Sequence, residues 1–360
     1  MLIILSIAAF FFIVVNLLIW IVMKKRTEPR LRQSNERIKI SIIIAAKNEE
    51  KNINVLINSI YANNINYEDF EVIVIDDNSD DKTFDVVKAI SEKFNNLKLI
   101  SSEKKIYPGK KGALAAGINE CQFDYILITD ADCVVSEKWI ETFANEFSNG
   151  FDFVFGAAPL IKQGGFVNVL SCFENLRSSL LTFSAAKLGM PYSAAARSFG
   201  FKKSSFEKIK GYENTTETLS GDDDLLLREA VKAKMRIGCI VEPDAFVFSE
   251  TKKTFREYLL QKSRHTKTSV HYLFESQFPL GFWHITNLLL LLCILLIPIN
   301  PVYGIFFIIK LLSDVVVVLS LQKKFGYSFS LFEIIFLQPV YEVMLVVNFL
   351  AGMILPDRWK

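Results

Sequence analysis

The amino-acid sequence predicts an α/β domain built on a mostly parallel sheet and carried between membrane-spanning helices. Three observations predict it: β-rich apolar runs alternate with helical patterns from about Ile38 to Ala157, charged signatures close those runs, and apolar stretches of membrane length lie on either side. The apolar share supports the membrane part, since 51% of the 360 residues are hydrophobic and 31 are phenylalanine, more than a soluble domain needs.

Residues 1–23 hold no charged side chain and are long enough to cross about 30 Å of hydrocarbon as one helix. Lys24, Lys25, Arg26, Arg30 and Arg32 follow at once, and no small-residue cleavage site separates them from the apolar run. A retained anchor fits this pattern better than a cleaved signal peptide. Clustered basic residues stay on the cytoplasmic side, which places the following domain in the cytosol, at a cell membrane that the chain crosses several times. The net charge of +2, with acidic and basic residues mixed through the middle, gives no nucleic-acid footprint. Five scattered cysteines, Cys121, Cys133, Cys172, Cys239 and Cys293, form no CxxC pair; on a reducing side they read as buried thiols rather than disulfides or zinc ligands.

In the domain expected over 38–250, Ile40–Ala45, Glu71–Ile75, Leu97–Ser101 and Tyr125–Thr129 read as strands. Glu49 to Ile60 places Ile53, Leu56, Ile57 and Ile60 on one helical face, and Asp81 to Phe94 does the same with Phe84, Val87, Ile90 and Phe94. Ligands of such sheets bind beyond the carboxyl ends of the strands, where Lys47-Asn48-Glu49, Asp76-Asp77 and Asp130-Ala131-Asp132 all fall. A helix-like stretch from Phe166 to Leu188 and a small-residue run from Pro191 to Gly200 follow, in the half expected to bind an acceptor, and a helix opens at Leu225.

Residues 251–275 form an expected interfacial region. There Lys252, Lys253, Arg256, Lys262, Arg264 and Lys267 combine with Phe255, Tyr258, Leu259 and Leu260, as on an amphipathic helix at an anionic membrane surface. Within 280–355 three spans are expected, Leu280–Ile299, Val302–Ser320 and Leu331–Leu355, the first two joined at Pro298-Ile299-Asn300-Pro301. Glu333, Gln338, Pro339, Glu342 and Asn348 interrupt the last, which therefore needs a protein-facing side. Lys310 and Asp314, four residues apart, can neutralise each other.

Four signatures carry the chemistry: IDDNSDD (75–81), PGKKGALAAG (108–117), ITDADC (128–133) and SGDDDLLLR (220–228). Asp130 and Asp132, two apart at a strand end, repel each other unless a cation lies between them. Oxygen ligands suit Mg2+ or Mn2+, which would tie a diphosphate to the strand end. An isolated D-x-D is more often a solvated turn, but this one keeps company with three other signatures. Capping of the next helix explains Asp80 or Asp81, whereas Asp76 and Asp77 are better placed to accept hydrogen bonds from a base N–H or a ribose hydroxyl. Pro108–Gly112 brings flexible backbone, a cation and a helix N-terminus together before Ala113–Ile118, a combination that attracts phosphate; it lacks the GxxxxGK[ST] spacing of a P-loop. Asp222, Asp223 and Asp224 exceed what one N-cap needs. A carboxylate crowded by other acids holds a proton more tightly, which suits a general base, with Asp222 the first candidate and Asp223 the second.

Together these motifs resemble those of the membrane-bound family 2 glycosyltransferases, over roughly residues 38–270, including the opening strand Ser41-Ile42-Ile43-Ile44-Ala45-Ala46-Lys47-Asn48-Glu49-Glu50. The resemblance implies a GT-A fold, a Rossmann-like and mostly parallel sheet. It implies that Asp76, Asp77, Lys110 and Asp130 bind a nucleotide-sugar donor, that Asp130 and Asp132 hold Mg2+ or Mn2+, and that Asp222 is the base of an inverting transfer. Gln261-Lys262-Ser263-Arg264-His265 is similar to the Gln-x-x-Arg-Trp element of processive polysaccharide synthases, which implies donor contacts for Gln261 and Arg264. The chain departs from the family pattern twice. Gly221 stands at the family's glutamate position, which keeps Asp222 and Asp223 as alternative bases, and His265 stands where the synthases carry tryptophan.

The expected reaction is transfer of one sugar from a UDP- or GDP-sugar to a lipid or lipid-linked acceptor at the cytosolic leaflet, in the making of a cell-envelope glycan. Three other readings stand beside it: a processive polysaccharide synthase, for which four candidate spans are few; a sugar nucleotidyltransferase, which needs no anchor; and an inactive membrane scaffold, against which the intact acids count.

Overall fold

A computed structural model describes residues 1–25, 37–102 and 105–355; Arg26, Arg30 and Arg32 of the expected basic cluster lie outside the described residues. The chain divides into two units, one formed by 37–161 with 191–250 and the other by 1–25, 162–190 and 251–355. Residues 162–190, expected inside the 38–250 domain, thus group with the apolar helices.

The first unit holds nine strands: β1 Ile40–Ala46, β2 Phe70–Asp76, β3 Leu97–Ser101, β4 Tyr125–Asp130, β5 Cys133–Val135, β6 Phe153–Gly156, β7 Phe199–Lys202, β8 Ile237–Ile240 and β9 Val247–Ser249. Seven form one sheet in the order β3-β2-β1-β4-β7-β6-β8, and β5 pairs with β9 in a separate ribbon. β3, β2, β1 and β4 are parallel neighbours, whereas β7 runs antiparallel to both β4 and β6. A near-continuous apolar strand such as Ile40–Ala46 is stable only with both faces covered, and Ile40, Ile42, Ile43 and Ile44 are fully buried.

The cover comes from helices Ile53–Tyr61, Thr83–Ser91, Gly109–Asn119 and Trp139–Ser148. Ile53, Leu56, Ile57 and Ile60 point inward as their spacing requires. The second helix is shorter than its apolar period suggests. It ends at Ser91, Phe84 is 39% exposed, and Phe94 lies beyond the helix, stacked on Tyr61 with ring centroids 3.7 Å apart. Trp139 is fully buried and donates its indole N–H to the Ser198 hydroxyl (3.1 Å). Helix Gly109–Asn119 lies so close to the sheet that a Cβ on Gly117 would collide with Ile75 and Ile43. Gly117→Val is therefore expected to destabilise this unit by about 1–3 kcal/mol, read as a lower urea midpoint at unchanged slope; an unaltered midpoint refutes the close packing.

In the second unit, helices Leu2–Lys24, Phe274–Leu296, Val302–Leu321 and Leu331–Ile354 are the four long and apolar enough to cross a membrane among the described residues. The first of the expected C-terminal spans begins six residues early, at Phe274, with Pro279 inside it. The last is continuous through Pro339, and Gln338, Glu342 and Asn348 are all buried, so its polar residues do face protein. Lys310 and Asp314 pair at 2.6 Å, but not alone: Lys310 also reaches Glu342 (3.2 Å), and Arg177 of helix Phe166–Lys187 binds Asp314 (2.9 Å). Helix Phe255–Ser269 starts at a capping box made by Thr254 and Glu257. Its buried Tyr258 donates to Glu174 (2.7 Å), which Lys262 also approaches at 3.4 Å. Of the expected buried thiols, Cys133, Cys172 and Cys293 are buried, and Cys121 and Cys239 half-buried.

Candidate active site

Two loops at the carboxyl end of the sheet frame the site. Asn48 (φ 57°) and Asn78 (φ 55°) take the left-handed backbone that asparagine tolerates, and their loops interlock. The Asn48 N–H donates to Ser79 Oγ (3.0 Å), the Asp80 N–H to Asn48 Oδ1 (2.8 Å) and the Glu49 N–H to Thr83 Oγ1 (2.7 Å). Asp81 accepts from the Thr83 N–H (2.9 Å), as a cap for that helix.

Asp76 and Asp77 are buried, 5% and 2% exposed. Asp76 Oδ2 accepts from the Ser79 N–H (3.3 Å); Asp77 Oδ1 accepts from the Ser102 hydroxyl (2.7 Å) and pairs with Lys105. Their other oxygens, Asp76 Oδ1 and Asp77 Oδ2, are buried without a hydrogen-bond partner. Such an acceptor costs about 1–3 kcal/mol, so donors on a bound base or ribose would be favoured here.

The register of the parallel strands sets the next acid. Ala46 lies opposite Asp76 and Ala45 opposite Asp130, so the two acids flank β1 at nearly one level, about 10 Å apart across two strand spacings. Lys110, 6% exposed, sits in the first turn of helix Gly109–Asn119, which starts four residues before the expected Ala113. Its ammonium lies 2.6 Å from Asp130 Oδ1 and 2.7 Å from Asp222 Oδ2. Burial alone would lower its proton affinity, but the two carboxylates outweigh burial and hold it well above the usual lysine range. The ammonium is therefore fixed as a cation between two acids from different signatures.

The three aspartates at 222–224 divide their work. Asp223 caps helix Asp224–Lys232, accepting from the Asp224 N–H (2.7 Å), and its other oxygen accepts from the Ala196 N–H (2.6 Å). Asp224 accepts from the Ser193 hydroxyl (2.8 Å) and the Ala194 N–H (3.0 Å). Both thus hold the small-residue run 193–196 in place. Asp222 turns the other way, to Lys110. Gly221 has φ 81°, a conformation that a glutamate side chain would strain, which accounts for glycine at that position. Burial, then Asp224 and Asp222, push the Asp223 carboxyl well above the carboxylate range.

Among the described residues no three His, Cys, Asp or Glu side chains converge as a metal cluster. Asp130 and Asp132 offer two carboxylates at the end of β4, and Asp130 is already on Lys110. That donor set suits a hard cation that takes its other oxygens from a diphosphate and water. Burial pushes the neighbouring Cys133 thiol well up, which leaves it an inert packing group. Gln261 and Arg264 lie on helix Phe255–Ser269 of the other unit, and His265 is exposed there.

Sequence reasoning missed Lys105 and Ser102 on Asp77, and Lys111, which binds the carbonyls of Thr215 and Thr218. The doubled lysine in PGKKG was the available signal for Lys111; nothing local marks Lys105.

Residues 41–209 match the sequence profile of the family described as Glycosyl transferase family 2. The probable glycosyltransferase YdaM of Bacillus subtilis is 24% identical over 260 residues, 67% of this chain and 57% of that protein. The beta-monoglucosyldiacylglycerol synthase of Trichormus variabilis is 35% identical over 103 residues, 28% of this chain and 22% of that protein. The chain thus spans just over half of the first of these curated relatives and less of the second. A solved structure titled mannosyltransferase PcManGT from Pyrobaculum calidifontis, in complex with GDP-Man and Mn2+, superposes with a TM-score of 0.60 at 17% identity, covering 97% of each chain. That likeness is one of fold.

Proposed function

This chain belongs to the family 2 glycosyltransferases, with a GT-A-like catalytic domain, and from that premise we propose that it transfers a sugar from a UDP- or GDP-sugar to a lipid or lipid-linked acceptor at the cytosolic membrane face, with inversion. The observation that carries the reading is the Lys110 ammonium held between Asp130 and Asp222. It joins a cation suited to a diphosphate to a carboxylate suited to an acceptor hydroxyl. The four apolar helices and the similarity to a beta-monoglucosyldiacylglycerol synthase support the lipid acceptor.

In this reading the unpartnered oxygens of Asp76 and Asp77 accept from the base and ribose, and Lys110 steadies the diphosphate. Asp222 takes the proton of the acceptor hydroxyl. The freed oxygen bonds to the anomeric carbon from the face opposite the leaving group, the bond from that carbon to the phosphate oxygen breaks, and the nucleoside diphosphate leaves with the electron pair. Asp130 and Asp132 would hold Mg2+ or Mn2+, which supplies counter-charge for the departing diphosphate.

Incubating membranes with a panel of labelled nucleotide sugars, followed by lipid extraction, is expected to place label in the lipid fraction. Label found only in a long water-soluble polymer overturns single transfer. Removing divalent ions with EDTA should lower the rate about 100-fold, a few kcal/mol of charge stabilisation, with recovery on adding Mn2+; full activity in EDTA overturns the metal assignment.

A further inference from the structure

Lys110 and Lys111 are consecutive on one helix, so their side chains leave it about 100° apart. Lys110 goes to the acids. Lys111 is 2% exposed and spends its ammonium on main-chain carbonyls, those of Thr215 and of Thr218 (2.9 Å). A lysine is rarely buried this deeply without a carboxylate partner, because removing its charge from water is costly. The segment it binds leads straight to Asp222. Between Tyr212 and Gly221 the chain has only the short 3-10 turn Glu213–Thr215 as regular structure. Its other cation is Arg228, which donates to the Asn214 carbonyl (2.7 Å) and pairs with Glu217 (2.8 Å). Beyond Thr218, whose hydroxyl donates to the Ser220 carbonyl (2.7 Å), Gly221 turns the chain back toward Lys110.

One rigid helix therefore fixes both partners. Gly112 and Gly117 let it sit too close to its neighbours for any Cβ: at Gly112 against the Tyr107 carbonyl, at Gly117 against Ile75 and Ile43. We propose that Lys111 is a positioning residue, which sets Asp222 against the donor-site lysine by holding the carbonyls of residues 215 and 218. The inference rests on Asp222 being the base of sugar transfer. Lys111 itself is turned from the ligand, so it governs the rate of the step and leaves donor affinity alone.

The test is Lys111→Met, which keeps the stem and removes the ammonium, beside Lys111→Arg, in the full-length protein. A displacement of the base by about 1 Å costs about 100-fold. Lys111→Met is expected to lose about that factor in kcat with donor KM changed less than about threefold, and Lys111→Arg to regain at least about tenfold. Amide hydrogen exchange in Lys111→Met should rise over residues 213–222 while β1, β2 and β4 keep their protection. A donor KM that rises as much as kcat falls overturns the proposal in favour of a ligand contact. Faster exchange throughout the sheet overturns it in favour of plain structural support, and unchanged kcat with a loosened loop overturns it outright. Wild-type protein that transfers no sugar from any donor overturns the reaction itself, and the exchange measurement alone then still reports whether Lys111 holds the loop.

Discussion

Asp222→Asn is expected to lower kcat by about 1,000-fold while the donor still binds. The substitution keeps the volume of the side chain and removes its charge, so it takes away the proton acceptor, an effect of about 100- to 10,000-fold for a positioned base. Lys110 keeps Asp130 as its other partner at 2.6 Å, which is why donor affinity survives. Asp223→Asn is the necessary control. Asparagine can still cap helix Asp224–Lys232, but its amide nitrogen cannot accept from the Ala196 N–H as the second carboxylate oxygen does, so the substitution should appear in stability, about 1.5–3 kcal/mol for a lost bond to a charged group, and much less in the rate. Initial rates and donor KM of both variants decide the matter. If Asp223→Asn is the inactive one and Asp222→Asn works, the two roles are exchanged.

Asp314→Ala is expected to have the largest effect on stability. Asp314 is fully buried and accepts from Arg177 (2.9 Å) and Lys310 (2.6 Å), so its removal leaves two buried cations with Glu342 as the one acid ion-paired to either among the described residues. Breaking a buried ion pair from one side costs about 3–5 kcal/mol, whereas replacing a whole pair by apolar residues of similar size is often neutral. Arg177→Met combined with Asp314→Leu should therefore unfold in detergent close to the wild-type temperature, and Asp314→Ala far below it. Equal losses in the single and double variants would mean that packing, not charge, holds these helices.

The sheet and its acids were legible because both obey local rules. An apolar run buried on two faces must be an internal strand, and acids that follow such runs must meet at one edge; Asp76 and Asp130 do so through the register of β1. What escaped depends on partners remote in sequence. Lys111 reaches a carbonyl 104 residues on, and Arg177 an aspartate 137 residues on, and no periodicity announces either. Phe84 was misplaced for the opposite reason: its spacing fits an inward face, but a nine-residue helix has only a narrow one, and Val87 and Ile90 fill it. The antiparallel β7 overlaps the end of the small-residue run and is only four residues long, and its Gly200 lies against Leu127 and the Ile126 carbonyl too closely for any side chain. At the site itself, the choice between Asp222 and Asp223 needed the capping geometry, which sequence can suggest for a cluster and cannot allot within it.

Trp139 is the only tryptophan between residues 37 and 250, and its indole N–H is bound to Ser198, two residues beyond the Ala196 amide that Asp223 grips. The ring is shielded from water, so its emission should be blue and should redden when that grip fails. With Trp20, Trp283 and Trp359 replaced by phenylalanine, the molecule therefore carries its own optical gauge of whether the acid cluster is seated, readable without label or substrate.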